Sequence, residues 1–348
     1  MKPPAERPSA KDGERYRTAF GLALCIDPRI VIRGLGDDSS HAVAGPRSHV
    51  RLDPDELKRR WHGHSASAVR VRELSVGPTL LRSVDFAESV GYLLWARGFG
   101  RVLITPDGLE LFCEPDPVNE DWARIVASQA LPLAATIRGF EVFHASGVVV
   151  DGRAALITGP PGAGKSSLAA ALLRAGGELL SDDAVAVQLS DGELIAHAGS
   201  VVLQLRPPEE KRLSAGARAE LGQAAGSFEG KHLYVSSGAR DPVPIGGLFL
   251  LERSHEEPAV QRLAAVDPFE LIASTFNLSV RTPARLRRQL DVVSAIASAK
   301  LAHRLRVQDG VDATRLAEIV QEHLAELDRL GEPVPAGSAS GVAHPPEL

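Results

Sequence analysis

Only two cysteines, Cys25 and Cys113, occur in the 348 residues. They stand far apart and fit no metal-ligand spacing. Two isolated thiols are not a disulfide framework, which agrees with a reducing compartment. No apolar run approaches the ~20 residues that cross a bilayer. The opening residues, Met1 to Ser9, are polar and proline-rich, without the apolar stretch of a signal peptide. An excess of positive charge is missing as well. The 39 Lys and Arg against 44 Asp and Glu give a formal net charge of -5, so nothing global attracts a polyanion. These absences predict a cytoplasmic protein that binds neither membrane nor nucleic acid. What is present is an ordinary globular mixture, 44% apolar and 24% charged, enough for a sizeable core.

The length suits two domains, or one large domain with an appendage. Residues 1–14 are rich in Pro, Lys and Glu and are expected to be disordered. Residues 331–348 are small and proline-laden and read as a second disordered tail. Between them, 15–118 reads as a small α+β domain. Tyr16–Ile26 and Thr79–Leu81 are short apolar pieces in it, and Ser83–Trp95 a short helix. The runs Arg101–Thr105 and Leu109–Glu114 form a hairpin about Pro106-Asp107-Gly108. Asn119–Arg138 carries apolar residues at three- and four-residue steps, a helix that Pro132 should kink or split.

The remainder, 119–330, is read as one nucleotide-binding domain. Val142–Val150 and Arg153–Thr158 are strand-like runs joined by Asp151-Gly152, and Ala184–Leu189 and Glu193–Ala198 are joined by Asp191-Gly192. Both dipeptides are hairpin turns. Hairpins on either side of the central loop imply an α/β fold on a mixed, partly antiparallel sheet, since a doubly wound parallel sheet needs crossover helices instead. Pro268–His303 reads as mainly helical, and Asp312–Leu330 as an amphipathic helix packed on the sheet.

The loop itself is the strongest signal. Gly159-Pro160-Pro161-Gly162-Ala163-Gly164-Lys165-Ser166 matches G-x-x-x-x-G-K-[ST] in full, with Ser167 following. The glycines let successive backbone N–H groups turn inward on phosphate oxygens, and the helix that follows adds its N-terminal dipole. Lys165 should reach the β- and γ-phosphates of a nucleoside triphosphate, and the Ser166 hydroxyl a Mg²⁺ ion. Asp182-Asp183 follows after one helix and one short strand, Glu178–Ser181, which can lie beside the loop strand. One carboxylate could hold the metal and the other take a proton from an attacking hydroxyl. His144, after Phe143 on the strand that feeds the loop, is by itself as well read as a core histidine. Arg206 and Lys231 could neutralise phosphate charge or stand in solvent. Glu252 is a reserve metal ligand or a surface carboxylate, and the run Arg281, Arg285, Arg287, Arg288 an exposed helix face or a docking site.

The stretch from Phe143 through Asp151-Gly152 and the loop to Ser167, then Gly177-Glu-Leu-Leu-Ser-Asp182-Asp183, resembles the HPr kinase/phosphorylase family. That resemblance covers about 139–200 well and continues faintly through 242–253 and the terminal helices. It implies a P-loop core shared with ATP-type phosphoenolpyruvate carboxykinases, and ATP and Mg²⁺ as cofactors. Its active site would comprise His144, Lys165, Ser166, Asp182 and Asp183, with Asp183 the acid/base and Ser166 and Asp182 nearer the metal. The Glu-x-Arg-Gly-x-Gly run that accompanies phosphorylase activity in the family is not matched at Val202–Pro208, so nothing here supports that activity. The resemblance is closer to the wider HPr-kinase-like group, some of whose members phosphorylate serine on ribosomally made peptides. It implies a serine/threonine kinase for a peptide or small protein, with an oligomer possible. The residues alone leave two other readings open. One is a nucleotide-gated binding module. The other is an NTPase or small-metabolite kinase on a parallel P-loop fold.

Overall fold

The computed structural model describes residues 15–37, 46–117, 121–276 and 279–329. The two expected tails and the division expected at 118–119 lie outside them.

Nine strands form the first sheet: β1 (Arg15–Ala19), β2 (Leu22–Ile26), β3 (Gly36–Asp37), β4 (Ser48–Leu52), β5 (Val69–Val76), β6 (Thr79–Ala87), β7 (Gly91–Ala96), β8 (Gly100–Ile104) and β9 (Glu110–Pro115). Their order is β3-β1-β2-β4-β9-β8-β7-β6-β5. Helix α1 (Pro54–Trp61) lays Leu57 and Trp61 on Leu103 and Phe112 of this sheet. The helix expected over Ser83–Trp95 is instead the β6–β7 hairpin, paired from Ala87↔Gly91 to Arg82↔Ala96. Val84, Phe86, Tyr92 and Trp95 favour a pleated surface. Gly91 settles the matter: its φ is +114°, and a Cβ there would fall 2.0 Å from the Ile104 carbonyl oxygen. Tyr16–Ile26 is likewise two strands, turning at Phe20-Gly21. The β8–β9 hairpin is as expected.

The linker helix runs as α2 (Trp122–Ile125), a π-helical turn at Val126–Ala130, and α3 (Leu131–Ile137). Pro132 falls in the first turn of α3, so the split expected from its missing N–H takes the form of the widened turn before it.

The second sheet is built from β10 (Glu141–Phe143), β11 (Ser146–Val150), β12 (Arg153–Thr158), β13 (Glu178–Ser181), β14 (Val185–Ser190) and β15 (Glu193–His197). A separate three-stranded sheet follows, β16 (Val202–Leu205), β17 (Gln223–Phe228) and β18 (Lys231–Val235), in the order β16-β18-β17, with the short helices α5 (Pro207–Glu210) and α6 (Ala215–Ala219) between β16 and β17. The chain then returns to the second sheet with β19 (Val243–Ser254), β20 (Ala259–Arg262) and β21 (Ala302–Gln308). The main order is β10-β14-β15-β19-β12-β11-β13, with β21 on β19 and β20 on β21. β12 and β21 lie parallel to β19, while both Asp-Gly hairpins are antiparallel. The fold is thus mixed α/β. One expectation fails in detail: β13, which leads into the aspartates, pairs with β11 and stands one strand away from the loop strand β12.

Helix α4 (Lys165–Arg174) and α9 (Ala313–Arg329) pack together on one face of the second sheet, burying Leu168, Leu172, Leu316, Val320 and Leu324 against Ile157, Phe249 and Leu305. The other face takes α7 (Pro268–Ala273) and α8 (Pro283–Ser298). A further core is continuous from the first sheet through the linker helix to Val142, Ala184 and Val202.

The expected strand Val142–Val150 breaks at His144-Ala145, where the chain passes from β10 to β11 and His144 N–H donates to the Ser274 carbonyl at 2.7 Å. A buried network fixes this break. Arg285 Nη2 meets Glu141 Oε1 at 2.6 Å, Arg285 Nη1 donates to Gln289 Oε1, and Gln289 Nε2 donates to Thr275 Oγ1. Burial pushes the Glu141 carboxyl above its usual range, and the Arg285 charge opposes that. Arg285→Met leaves this carboxylate without its counter-charge, so a stability loss of ~3–5 kcal/mol is expected in urea denaturation. The double variant Arg285→Met/Glu141→Leu should recover most of it. A loss below ~1 kcal/mol in the single variant would show the pair to be incidental.

Candidate functional site

The glycine-rich loop joins β12 to α4. Gly159, Gly162 and Gly164 all have positive φ, and a Cβ on Gly159 would meet the Leu251 carbonyl oxygen at 3.1 Å. Gly164 is the N-cap of α4 and no side chain caps that end, so the helix presents bare N–H groups to the loop's concavity. Lys165 folds over the loop, its Nζ donating to the carbonyls of Gly159 at 2.9 Å and Pro160 at 3.3 Å. Burial pulls its pKa below the usual lysine value, against the charges of Asp183 and Asp182.

The adjacent aspartates do different things. Asp182 is buried and saturated. Its Oδ1 accepts from Ser146 Oγ at 2.6 Å, Asp183 N–H at 3.1 Å and Ser166 Oγ at 3.2 Å, and its Oδ2 accepts from Gln204 N–H at 2.9 Å. Burial, then the neighbouring Asp183 charge, pushes its pKa up to about 6. Asp183 has the uncommon φ of +71°, which turns its carboxylate the other way. Gln204 Nε2 donates to its Oδ2, and Lys231 Nζ stands 3.5 Å from both oxygens. His144 touches the same residue through the backbone: Nδ1 lies 2.9 Å from the Asp183 carbonyl oxygen. Because the partner is a carbonyl, Nδ1 carries the hydrogen and Nε2 the lone pair. Burial, then the Lys165 charge, lowers the His144 pKa and favours the neutral ring.

A cavity of about 120 Å³ lies over this cluster, walled by His144, Pro161, Gly162, Gly164, Lys165, Ser166 and Asp183, and by Gln204, Arg206, Glu209 and Lys231. Asp182 forms no part of its wall and supports Ser166 and Asp183 from beneath. Ala163 is buried within the loop, and Ser167 lies in the first turn of α4. The structure brings Arg206 and Lys231 to the site, whereas Glu252 pairs with Arg304 at 2.9 Å on the surface. The basic run from Arg281 into α8 is not a uniform exposed face. Arg285 is buried with Glu141, and Arg288 donates to the Thr136 carbonyl, while Arg281 and Arg287 are exposed.

Sequence reasoning missed Ser146, Gln204 and Arg124. Each is a lone polar residue within an apolar stretch: Gln204 in Val-Leu-Gln-Leu, Ser146 at the head of a valine strand, Arg124 on the buried face of the linker helix. That mismatch between residue and pattern is the signal that could have found them.

Among the described residues no three His, Cys, Asp or Glu side chains gather as a metal cluster, and no helix is long and apolar enough to cross a membrane. Ser166 Oγ and Asp182 Oδ1 form an all-oxygen pair 3.2 Å apart. Ser166, the member that faces the cavity, fits Mg²⁺, which is commonly held by one or two protein oxygens with waters and substrate phosphates completing its shell.

No protein-family model matches the chain. In sequence it is similar to the HPr kinase/phosphorylases of Lacticaseibacillus casei and Lacticaseibacillus paracasei, each 28% identical over 186 residues. The match takes 52% of this chain and 52% of theirs, so the chain spans about half the length of the curated relatives it matches. The solved Hpr(Ser) kinase/phosphatase from Coxiella burnetii superposes over 54% of this chain and 99% of its own, at 12% identity and a TM-score of 0.30. Over about half its length, this chain is a distant sequence relative of the HPr kinase/phosphorylases.

Proposed function

We propose that the chain is an HPr-kinase-like, ATP-dependent phosphotransferase that moves the γ-phosphate to a serine or threonine hydroxyl of a peptide or small protein. The observation that carries this reading is the common cavity. The bare N-terminus of α4, Lys165 and the outward-turned Asp183 carboxylate all face it. In this reading Gly159–Ser167 is a phosphate loop, and 119–330 the catalytic domain beside a smaller 15–118 domain.

The loop N–H groups and the N-terminus of α4 hold the β- and γ-phosphates. Lys165 leaves the loop carbonyls for them, and Lys231 and Arg206 offset the charge that spreads over the transferring group. Asp183 accepts the proton of the acceptor hydroxyl as its oxygen bonds to the γ-phosphorus. The bond from that phosphorus to the β,γ-bridging oxygen breaks, and ADP leaves with the electron pair. Ser166 would hold Mg²⁺, which when bound neutralises phosphate charge, and Asp182 would act through Ser166 by anchoring its hydroxyl. Neutral His144, bonded to the Asp183 carbonyl, fixes the strained backbone that aims the carboxylate.

The test is transfer from γ-labelled ATP with Mg²⁺ to HPr and to a pool of serine and threonine peptides. Wild type should label a hydroxyl, and Lys165→Ala should lower that labelling by at least ~10³-fold. Tight ATP binding with no labelled acceptor would instead support a nucleotide-gated module.

A further inference from the structure

A second cavity is larger than the one over the loop. About 600 Å³ opens where residues 29–33, the start of the linker helix, β17 and the wall formed by Val202 and Leu233 meet. It neighbours the site through shared lining residues. Arg124 and Val202 line it and also a neck of about 10 Å³, whose other walls include Asp182, Asp183 and Gln204. Asp183 and Gln204 in turn line the loop cavity. Roughly 10–15 Å³ is the space of one water molecule. The neck therefore suits a hydroxyl and little more.

Arg124 stands at its mouth. It is 8% exposed, and its buried Nε makes no hydrogen bond. Burial disfavours its charge, which the carboxylates of Asp183 and Asp182 partly support. Arg29 and Arg33 line the same cavity, against one acid, Asp121. Arg29 is held by Asp27, and Arg33 Nη1 donates to the Ala225 carbonyl at 3.3 Å. The wall is thus cationic on balance, with a guanidinium edge short of a partner at its inner end.

The shape of the opposite wall indicates an extended chain. Ala224–Ser227 belong to β17, which ends its three-stranded sheet and, among the described residues, pairs only with β18. That pairing slips between Ala224 and Ser227. A strand with one neighbour keeps an edge on which a peptide can add as a further strand.

We propose that the 600 Å³ cavity docks the phosphoacceptor as an extended acidic peptide, laid along the edge of β17, with its carboxylates on Arg124 and Arg33 and its hydroxyl entering the neck toward Asp183. This rests on the phosphotransferase reading and supplies its substrate class. The transfer step is unchanged: the hydroxyl proton passes to Asp183, the oxygen bonds to the γ-phosphorus, and ADP departs with the bridging electron pair.

The experiment uses the full chain and nine-residue peptides with a central serine and Asp/Glu-rich, Ala-rich or Lys-rich flanks. Direct binding is read by fluorescence anisotropy and transfer by γ-labelled ATP, with nucleotide affinity measured separately. Acidic peptides should bind and be labelled at least ~10-fold better than the others. Ala224→Trp, an exposed position on the cavity wall, should weaken acidic-peptide binding at least ~10-fold while nucleotide affinity holds. Arg124→Gln should erase the preference for acidic flanks. If acidic peptides bind and Ala224→Trp abolishes that binding, yet nothing is labelled, the dock stands and the transfer reading fails. If peptides are labelled without an acidic preference, or Ala224→Trp binds as wild type does, the dock is overturned. Absence of acidic-peptide binding to wild type overturns it too.

Discussion

Asp183→Asn is expected to lower phosphate transfer ~10²–10⁴-fold while nucleotide affinity stays within ~3-fold of wild type. The substitution is close to isosteric, and Asn is among the few residues that tolerate positive φ, so the +71° backbone survives. The amide can still accept from Gln204 and still faces the cavity. What it cannot do is take a proton from the acceptor. Lys231, 3.5 Å away, loses a counter-charge but keeps its place near the phosphates. Single-turnover transfer together with a nucleotide titration separates the two effects. Transfer within ~3-fold of wild type would move the base elsewhere, and the lone pair on His144 Nε2 would be the first alternative.

How much of this could be read from the chain alone depends on how local each feature is. The loop is contiguous, and its motif states its own geometry through glycines that need positive φ. Both Asp-Gly turns are legible for the same reason, since two residues of the left-handed region suffice to fix a hairpin. The aspartate pair was visible, but the division of labour between its members was not. That division arises because Ser146 and Gln204, from strands 36 and 22 residues away, saturate Asp182 and so turn Asp183 outward. For Arg206 and Lys231 the chain alone leaves a phosphate-neutralising and a solvated role open, because their meeting depends on the pairing of β16 with β18. The misread helix at Ser83–Trp95 has a similar cause. Its decisive contact, Gly91 against the Ile104 carbonyl, joins two strands whose adjacency no local periodicity encodes. Arg285 shows the converse, a charge that reads as solvated until Glu141, 144 residues away, is placed beside it.

Asp182→Ala should have the opposite signature from Asp183→Asn: stability and nucleotide affinity fall together, and transfer falls because of both. The Asp182 carboxylate is itself costly, since burial and the Asp183 charge push its pKa up to about 6. Its worth lies in the groups that donate to it. Ser146 Oγ, Ser166 Oγ and the backbone N–H groups of Asp183 and Gln204 all lose their acceptor. Leaving a buried donor unsatisfied costs ~1–3 kcal/mol, and the hydroxyls can partly re-aim, so a net loss of ~2–4 kcal/mol is expected in urea denaturation. Without that acceptor Ser166 loses its orientation and Asp183 its backbone anchor, so the loop cavity loses its floor. ATP affinity in Mg²⁺ should drop by at least ~10-fold. Asp182→Asn should be intermediate. Its amide oxygen can serve the side that binds the serines, but its NH₂ then confronts the Gln204 N–H, donor against donor. The informative contrary result is an Asp182→Ala protein with wild-type stability and ATP affinity but no transfer. That would make Asp182 the group that handles the acceptor's proton, and the half-exposed Asp183 the residue that merely keeps it in place.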